Sequence, residues 1–219
     1  LQARFSTREK TAVAFINAHC VNQLGDSTYR AALGRMSYLL PDGSGLSIAA
    51  RLQGWRFVAN LNGTDLVPLL CARLAAARGS VFLLGARPGV AEDAAAQLGA
   101  RYPGLRVVGA HHGYFAPADE PQIINAINTA RPDLLLVGFG VPKQDIWIDQ
   151  HIDDLDATLV MGIGALLDFT AGRVPRAPVI LRWLGLEWCW RLYREPRRLW
   201  RRYLIGNAIF LARAAKAAC

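Results

Sequence analysis

The stretch Tyr38-Leu-Leu-Pro-Asp-Gly-Ser-Gly-Leu46 joins a short apolar run to a helical pattern through an aspartate and two glycines. The apolar run predicts a strand, so Asp42 stands just after its carboxyl end. Open α/β sheets bind ligands in the crevice outside the carboxyl ends of their strands. Gly43 and Gly45 allow a tight turn and a close approach of the backbone to a ligand. Asp42 is therefore either a ligand-facing carboxylate or, like Ser44, a cap of the helix that follows.

Apolar runs alternate with helical patterns along the rest of the chain. Further strands are predicted over 11–16, 80–84, 105–110, 133–138 and 157–161. They are continuous apolar runs, which is typical of parallel strands buried on both faces. The alternation predicts an α/β fold, a Rossmann-like, mostly parallel sheet with helices on both faces. Among the expected helices, one spans 18–34, one follows Asp42 as far as about residue 53, and one begins at the N-cap Thr64.

Charge is distributed unevenly over the 219 residues. Residues 173–219 hold 11 Lys and Arg against 2 Asp and Glu, whereas residues 1–172 hold 14 against 15. Four of the six tryptophans lie in the basic segment. We therefore expect a near-neutral domain over 1–172 and a basic helical appendage over 173–219. Such asymmetry is typical of proteins that meet a polyanion or an anionic membrane surface.

The appendage contains two amphipathic helical patterns, over about 178–193 and 196–215. In the second, apolar and aromatic residues share one side, and the other side carries Arg197, Arg198, Arg201 and Arg202. Its longest apolar stretch, 203–212, is too short to span a bilayer. Arginines with tryptophans at the boundary are typical of helices that lie in a membrane interface. An ordinary pair of docked helices is the alternative.

Residues 138–144, Gly-Phe-Gly-Val-Pro-Lys-Gln, follow a predicted strand and open a helix. Pro142 is expected at the first helical position, with Lys143 and Gln144 in the first turn. Free N–H groups at a helix N-terminus, together with a lysine, form a good anion site. Gln144 adds a side chain that both donates and accepts hydrogen bonds.

Several kinds of site are not indicated. The glycines of Gly85-x-x-x-Gly89 lack the dinucleotide-binding spacing, and the sequence has no P-loop motif. His111 and His112 have no further ligand at metal-binding spacing, so a hydrogen-bonded loop pair is favoured over a metal or acid–base site. A cluster of acidic residues is expected on a solvated face: Asp145, Asp149, Asp153, Asp154 and Asp156. We predict no metal and no other cofactor. We also predict no nucleic-acid partner, since RNA-reading motifs are missing.

A series of short motifs runs from the first strand into the appendage. They are Asn17, Asp42-Gly43, Gly63-Thr64-Asp65, Leu84-Gly85, Pro88-Gly89-Val90-Ala91-Glu92, His112-Gly113-Tyr114-Phe115, Gly138-x-Gly-x-Pro142-Lys143-Gln144, Asp168-Phe169-x-Ala171-Gly172, Arg176-Ala177-Pro178, Gly185-Leu186-Glu187-Trp188, Arg191-Leu192 and Glu195-Pro196-Arg197-Arg198-Leu199. In these motifs the chain resembles the WecG/TagA/CpsF family of bacterial glycosyltransferases, and the resemblance covers nearly the whole chain.

The resemblance implies an inverting, metal-independent transfer of a sugar from a UDP-sugar to a polyprenyl-diphosphate-linked saccharide. The enzyme would be bound peripherally at the cytoplasmic face of the bacterial inner membrane. A homo-oligomer is possible under this resemblance, and the oligomeric state stays open. Asp42 is implied as the general base that deprotonates the acceptor hydroxyl. The implied sugar- and nucleotide-binding residues are Asn17, Asn60, Gly140, Lys143 and Gln144. The implied diphosphate-binding residues are Arg191, Arg198 and Arg201. In place of a metal ion, they would stabilise the negative charge of the diphosphate.

Two positions depart from the family pattern. Phe15 stands where the family often has a threonine, and Asn60 where it often has an arginine. Because both are expected where the sugar is read, we predict a plain hexose donor, glucose in β-1,4 linkage, as in exopolysaccharide assembly of the xanthan type. One alternative is N-acetylmannosamine or its uronate, as in teichoic-acid or enterobacterial-antigen assembly. Another is a non-enzymatic membrane-docked module that binds a nucleotide or a lipid head group.

Overall fold

The computed structural model describes residues 9–59 and 61–218, and six strands of this part of the chain form one sheet. The strands are β1 (Thr11–Ile16), β2 (Tyr38–Pro41), β3 (Ser80–Gly85), β4 (Arg106–His111), β5 (Leu134–Gly138) and β6 (Leu159–Gly162). Their order is β2-β1-β6-β5-β3-β4, and every neighbouring pair is parallel. The predicted Rossmann-like parallel sheet is therefore confirmed.

Helices connect and cover the strands. In residues 9–172 they are α1 (Ala18–Asn22), α2 (Ser27–Arg35), α3 (Ser44–Leu52), α4 (Gly63–Ala76), α5 (Val90–Arg101), α6 (Glu120–Ala130), α7 (Lys143–His151) and α8 (Leu166–Thr170), with a 3-10 turn at Pro117–Asp119. In the appendage they are α9 (Val179–Trp183), α10 (Glu187–Arg194), α11 (Pro196–Trp200), a π-helical turn (Arg201–Ile205) and α12 (Gly206–Ala218).

Two helix starts differ from the sequence-based prediction. The helix expected over 18–34 is divided, because the side chain of Asp26 caps a new helix and accepts from the N–H of Thr28 at 2.8 Å. The next long helix is capped by Asn62 and not by Thr64, which instead donates its hydroxyl to Asn62 Oδ1 at 2.7 Å. In both cases a side-chain oxygen accepts from free backbone N–H groups and sets a helix start that the prediction lacked.

The appendage departs from prediction in a similar way. The helix expected over 178–193 is divided at Gly185, whose φ of +70° ends α9. The second pattern continues from Pro196 to Ala218 without a break, but it includes one π-helical turn. A π turn closes its hydrogen bonds one residue later than an α turn, so it changes which side chains share a face.

Alternate residues of the central strands pack into separate cores on the two faces of the sheet. Leu134 and Leu136 of β5 belong to the core that α4 and α5 cover. Leu135 and Val137 belong to the core that α6 and α7 cover. The strands are apolar at successive positions because both faces are buried.

The appendage is docked on the main domain along α12, which packs against α1 and α3. Phe210 is buried there against Ala18 and Ala49, and Asn22 Nδ2 donates to the carbonyl oxygen of Gly206 at 2.7 Å. The docked-helix alternative therefore describes α12. Within the described residues, no helix combines the length and apolarity needed to cross a bilayer. The division of the chain at residue 172 stays a prediction.

Candidate active site

The carboxyl ends of the neighbouring strands β1 and β2 bring Asn17 and Asp42 together. Asn17 Nδ2 donates to Asp42 Oδ2 across 3.2 Å. The other end of the Asn17 amide, Oδ1, accepts from the backbone N–H groups of His19 and Cys20 and caps α1. This cap fixes the amide so that its NH₂ group faces the carboxylate.

The capping role that the sequence left open for Asp42 and Ser44 is not observed. Helix α3 begins after Gly43, whose φ is +88°, and it has no side-chain cap. Ser44 donates its hydroxyl to the carbonyl oxygen of Gly185 at 3.0 Å, which ties the start of α3 to the appendage. In the described part of the chain, the hydrogen-bond donor to the Asp42 carboxylate is the side chain of Asn17.

Burial raises the pKa of the Asp42 carboxyl above its ordinary value. The hydrogen bond from Asn17 and the positive charges of Arg202 and Arg191 act against this rise but do not cancel it. A carboxylate with a raised pKa is a stronger base, as a general base requires.

A cleft of about 960 Å³ lies at the same edge of the sheet, where β3, β5 and β6 end. The basic residues of its lining are Arg87, Lys143, Arg173, Arg191 and Arg198, and the acidic ones are Asp168 and Glu195. Gly140, in the loop after β5, also lines it. The volume suits a small-molecule ligand, and the excess of positive charge suits a phosphorylated one.

Gln144 is buried at the start of α7 and joins two loops at this edge. Its Oε1 accepts from the N–H of Gly140 at 3.2 Å and from that of Gly164 at 2.9 Å, and its Nε2 donates to Asp145 Oδ1 at 3.4 Å. Gly162 lies directly against these side chains, since a Cβ there would come within 2.7 Å of Asp145 Oδ1. Gln144 thus holds the loops after β5 and β6, and a direct bond to a ligand stays a prediction.

Asp145 is fully buried, so its expected place on a solvated face is wrong. Burial raises the pKa of Asp145 to about 6, against the hydrogen bond from Gln144, which lowers it. The carboxylate lies under the sheet edge and orients the Gln144 amide. Asp149, from the same acidic cluster, pairs with Arg35.

The appendage places its predicted arginines differently. Arg191 lines the cleft, with its guanidinium carbon 5.3 Å from the centre of the Phe169 ring. Arg198 also lines the cleft and pairs with Glu195 at 2.6 Å. Arg201 is exposed and lies outside the lining, so its predicted contact with a diphosphate stays a prediction.

Arg202 is a further candidate that sequence reasoning did not assign. Its charge lowers the pKa of Asp42, and it also acts on His19, whose pKa is lowered to about 4 first by burial and then by Arg202. The Nε atoms of Arg191 and Arg202 are buried and have no hydrogen-bond partner in the described part of the chain. Buried cationic donors of this kind fit an anionic ligand such as a diphosphate.

Arg176 links the start of α4 to the appendage. It donates to Thr64 Oγ1 at 2.9 Å and to Asp65 Oδ1 at 2.5 Å, and its Nε lies 3.7 Å from Glu187 Oε1. Burial raises the pKa of the Glu187 carboxyl, and the charge of Arg176 opposes this rise. Both residues stand in motifs that carried the family resemblance, and the structure shows that they hold α10 against the main domain.

Asn60, His111 and His112 are the remaining residues that the sequence analysis considered. Asn60 lies outside the described residues. The ring nitrogen Nδ1 of His111 lies 2.7 Å from the carbonyl oxygen of His112, as expected of a loop pair. No group of three or more His, Cys, Asp or Glu side chains within 9–59 and 61–218 is placed to hold a metal ion.

Phe15 is a core residue and is not among the residues that line the cleft. Its ring packs against Gly63, where a Cβ would lie 3.3 Å from Phe15 Cε2. The expectation that this position reads the sugar therefore has no support in the structure, and one of the two reasons for predicting glucose is lost.

Comparison with known proteins gives concordant results. The profile described as "Glycosyl transferase WecG/TagA/CpsF family" matches residues 1–219. Relatives from Staphylococcus aureus strains MW2 and COL are each 35% identical over 190 residues, which is 86% of this chain and 73% of theirs. A relative from strain MRSA252 is 34% identical over the same length. All three are named N-acetylglucosaminyldiphosphoundecaprenol N-acetyl-beta-D-mannosaminyltransferase.

Proposed function

The chain belongs to the WecG/TagA/CpsF family of glycosyl transferases, and from this premise we propose that it transfers an N-acetylmannosaminyl group from its UDP derivative to a polyprenyl-diphosphate-linked N-acetylglucosamine. The names of the relatives support this donor and acceptor better than the glucose predicted from the sequence. Phe15 is a core residue, so this position no longer argues for glucose against N-acetylmannosamine.

The observation that carries the proposal is the Asn17–Asp42 pair beside a basic cleft. Asp42 acts as general base. It takes the proton from the acceptor hydroxyl while the hydroxyl oxygen attacks the anomeric carbon of the donor. The bond from the anomeric carbon to the UDP oxygen breaks, and its electron pair leaves with the diphosphate. Attack opposite the leaving group inverts the anomeric centre.

The cleft holds the nucleotide diphosphate in this proposal. Lys143 and Arg191 provide the positive charge for the departing diphosphate, and Gly140 allows close approach of the backbone. Arg198 adds a third cation at the appendage side of the cleft. Arginine forms strong, charge-assisted hydrogen bonds to phosphate oxygens, so these residues supply the stabilisation that a metal gives in other enzymes.

The acceptor places the reaction at a membrane surface. A polyprenyl diphosphate keeps its chain in the bilayer and its phosphates at the head-group level. The excess of arginine and tryptophan in the appendage suits an anionic bilayer, and each basic residue near such a surface contributes about 1 kcal/mol. We place the enzyme peripherally, at the cytoplasmic face of the bacterial inner membrane.

A donor panel tests the proposal. Purified protein is incubated with a synthetic polyprenyl-diphosphate N-acetylglucosamine and, in separate reactions, with UDP-N-acetylmannosamine, UDP-N-acetylglucosamine or UDP-glucose, in the presence of chelator or Mg²⁺. We expect one N-acetylmannosaminyl addition, unchanged by the chelator. Preferred use of UDP-glucose would restore the glucose prediction, and activity lost in chelator and regained with Mg²⁺ would contradict the metal-free mechanism. Binding of UDP without any product would indicate a non-enzymatic module.

A further inference from the structure

The main domain and the appendage both expose large apolar side chains. Leu52, Trp55 and Val58, at the end of α3 and in the loop before α4, are exposed, with Trp55 at 72% of its full surface. Ile180 and Trp183 of α9 and Leu184 directly after it are exposed, with Trp183 at 89%. We call these six residues the apolar face. An exposed set of this size is typical of an interaction surface.

Helix α9 is tied at both ends to the segment that carries the other half of this face. At its C-terminal end, the carbonyl oxygen of Gly185 accepts from Ser44 Oγ at the start of α3. Just before its N-terminal end, Arg176 holds Thr64 and Asp65 at the start of α4. The segments 44–64 and 176–185, which carry the two halves of the face, are therefore joined to each other at both ends.

Arginines outnumber carboxylates in the segments that carry the apolar face, although Arg173 pairs with Asp93, and Arg176 pairs with Asp65 and Glu187. Residues 43–64 and 173–186 contain no Asp or Glu, whereas they contain Arg51, Arg56, Arg173, Arg176 and Arg182. Apolar and aromatic side chains surrounded by arginines match the acyl boundary and phosphates of an anionic bilayer. A second copy of the chain is a poor fit, because a two-fold contact would bring the same arginines together.

One anchor of the apolar face is close to the candidate base in the chain. Asp42 stands two residues before the anchor Ser44, and its charge acts on Glu187 of α10, the ion-pair partner of the other anchor, Arg176. A diphosphate at the head-group level under this face is therefore close to Asp42, while the cleft at the ends of β3 and β5 receives the soluble nucleotide.

We infer that the α3–α4 loop of the main domain and α9 of the appendage together rest on an anionic bilayer, so that membrane contact is not confined to the basic appendage. This inference rests on the proposed function and deepens it, because it names the surface through which the lipid-linked acceptor reaches Asp42. The loop contributes apolar contact, and the arginines contribute attraction to lipid phosphates.

Co-sedimentation with vesicles tests the inference. The full chain is mixed with vesicles of phosphatidylglycerol and phosphatidylcholine, and with phosphatidylcholine alone. Trp55→Glu/Val58→Glu places two charges in the face, at positions whose exposure leaves folding intact. The matched control, Ala96→Glu/Ala100→Glu, adds the same charges at exposed positions of α5. We expect the first variant to bind the anionic vesicles at least about tenfold more weakly and the control to bind like the wild type.

A second measurement uses smaller changes. Quenching of tryptophan fluorescence by doxyl-labelled lipids is compared between the wild type and Trp55→Phe, and we expect a quenched component that is lost with Trp55. Equal vesicle binding by the charged variant and the control, or no quenching of Trp55, would overturn the inference. Concentration-dependent dimers that the charged variant abolishes, with vesicle binding intact, would also overturn it and identify a second copy as the occupant.

These outcomes are separable from failure of the proposed function. Vesicle binding and quenching need no sugar, so they decide the surface even if no donor is used. If the proposed transfer occurs, the charged variant is expected to lose activity on acceptor in vesicles and to keep it on a short-chain acceptor dispersed in detergent. Equal loss on both acceptors would also contradict the inference.

Discussion

The NH₂ group of Asn17 donates to the carboxylate of Asp42 across 3.2 Å, between the ends of two neighbouring parallel strands. Asn17 has no freedom to turn its amide around, because its oxygen caps α1 through the N–H groups of His19 and Cys20. The second oxygen of Asp42 is left to accept a proton. A carboxylate that is both oriented and raised in pKa has the properties of a general base.

The pH profile of transfer is expected to depend on Arg202. Its positive charge favours the ionised form of Asp42 and so holds the Asp42 pKa lower than burial alone would set it. Removing that charge in Arg202→Ala raises the Asp42 pKa, and the acid limb of kcat/KM moves to higher pH. Arg201→Ala is the matched control, since Arg201 is exposed on the same turn and is not among the charges that act on Asp42. A shift in the control, or none in Arg202→Ala, would refute this assignment.

Gln144→Ala is expected to destabilise the two loops that line the cleft at Gly140 and Gly164. The substitution leaves the N–H groups of Gly140 and Gly164 without their acceptor, at a cost of about 1–3 kcal/mol in unfolding free energy. We therefore expect a lower Tm and a higher KM for the donor. Gln150→Ala, at an exposed position on the same helix, controls for the loss of a glutamine. A variant with wild-type Tm and raised KM would show instead that Gln144 binds the ligand directly.

Asp145→Asn is expected to stabilise the protein at neutral pH. The folded-state pKa of about 6 lies above the ordinary 3.8, so ionised Asp145 is disfavoured by folding. The contribution of Asp145 to the free energy of unfolding is therefore most favourable below pH 3.8, and it falls as the pH rises from 3.8 through 6. A neutral amide escapes this loss, which is on the order of 3 kcal/mol for a shift of about two pKa units.

Thermal unfolding of wild type and Asp145→Asn at pH 4 and pH 7.5 checks this prediction. The variant should have the higher Tm at pH 7.5, and the difference should shrink towards pH 4, because the wild-type carboxyl is then protonated in the folded state. The amide of the variant retains an acceptor for Gln144, so transfer should persist. A destabilised variant at pH 7.5 would mean that the carboxylate charge itself is needed in the core.

The strands and the sheet edge were predictable from the sequence. Continuous apolar runs marked β1 and β3 to within a residue, because doubly buried strands carry no other pattern. The family motifs also identified residues such as Arg176 and Glu187 before any role was known. Their role as a link between α4 and α10 depends on a tertiary contact that spacing in the chain does not encode.

Helix interruptions and burial were less predictable. Asp145 and Gln144 stand in a polar helix start, and only the packing of that helix against Gly162 buries them. Arg201 and Arg202 were equivalent in a regular α-helical pattern, whereas the π turn gives them different environments. Thr64 and Asn62 are both good caps, and the choice between them depended on which oxygen met the free N–H groups.

The most direct test of the account is the transfer rate of Asp42→Asn, measured with saturating UDP-N-acetylmannosamine and a short-chain polyprenyl-diphosphate N-acetylglucosamine. The amide keeps the size of the side chain and a hydrogen bond to Asn17 but cannot take a proton. We expect turnover to fall at least about 100-fold, with Tm and donor affinity close to wild type. A folded variant that turns over near the wild-type rate would show that Asp42 is not the general base.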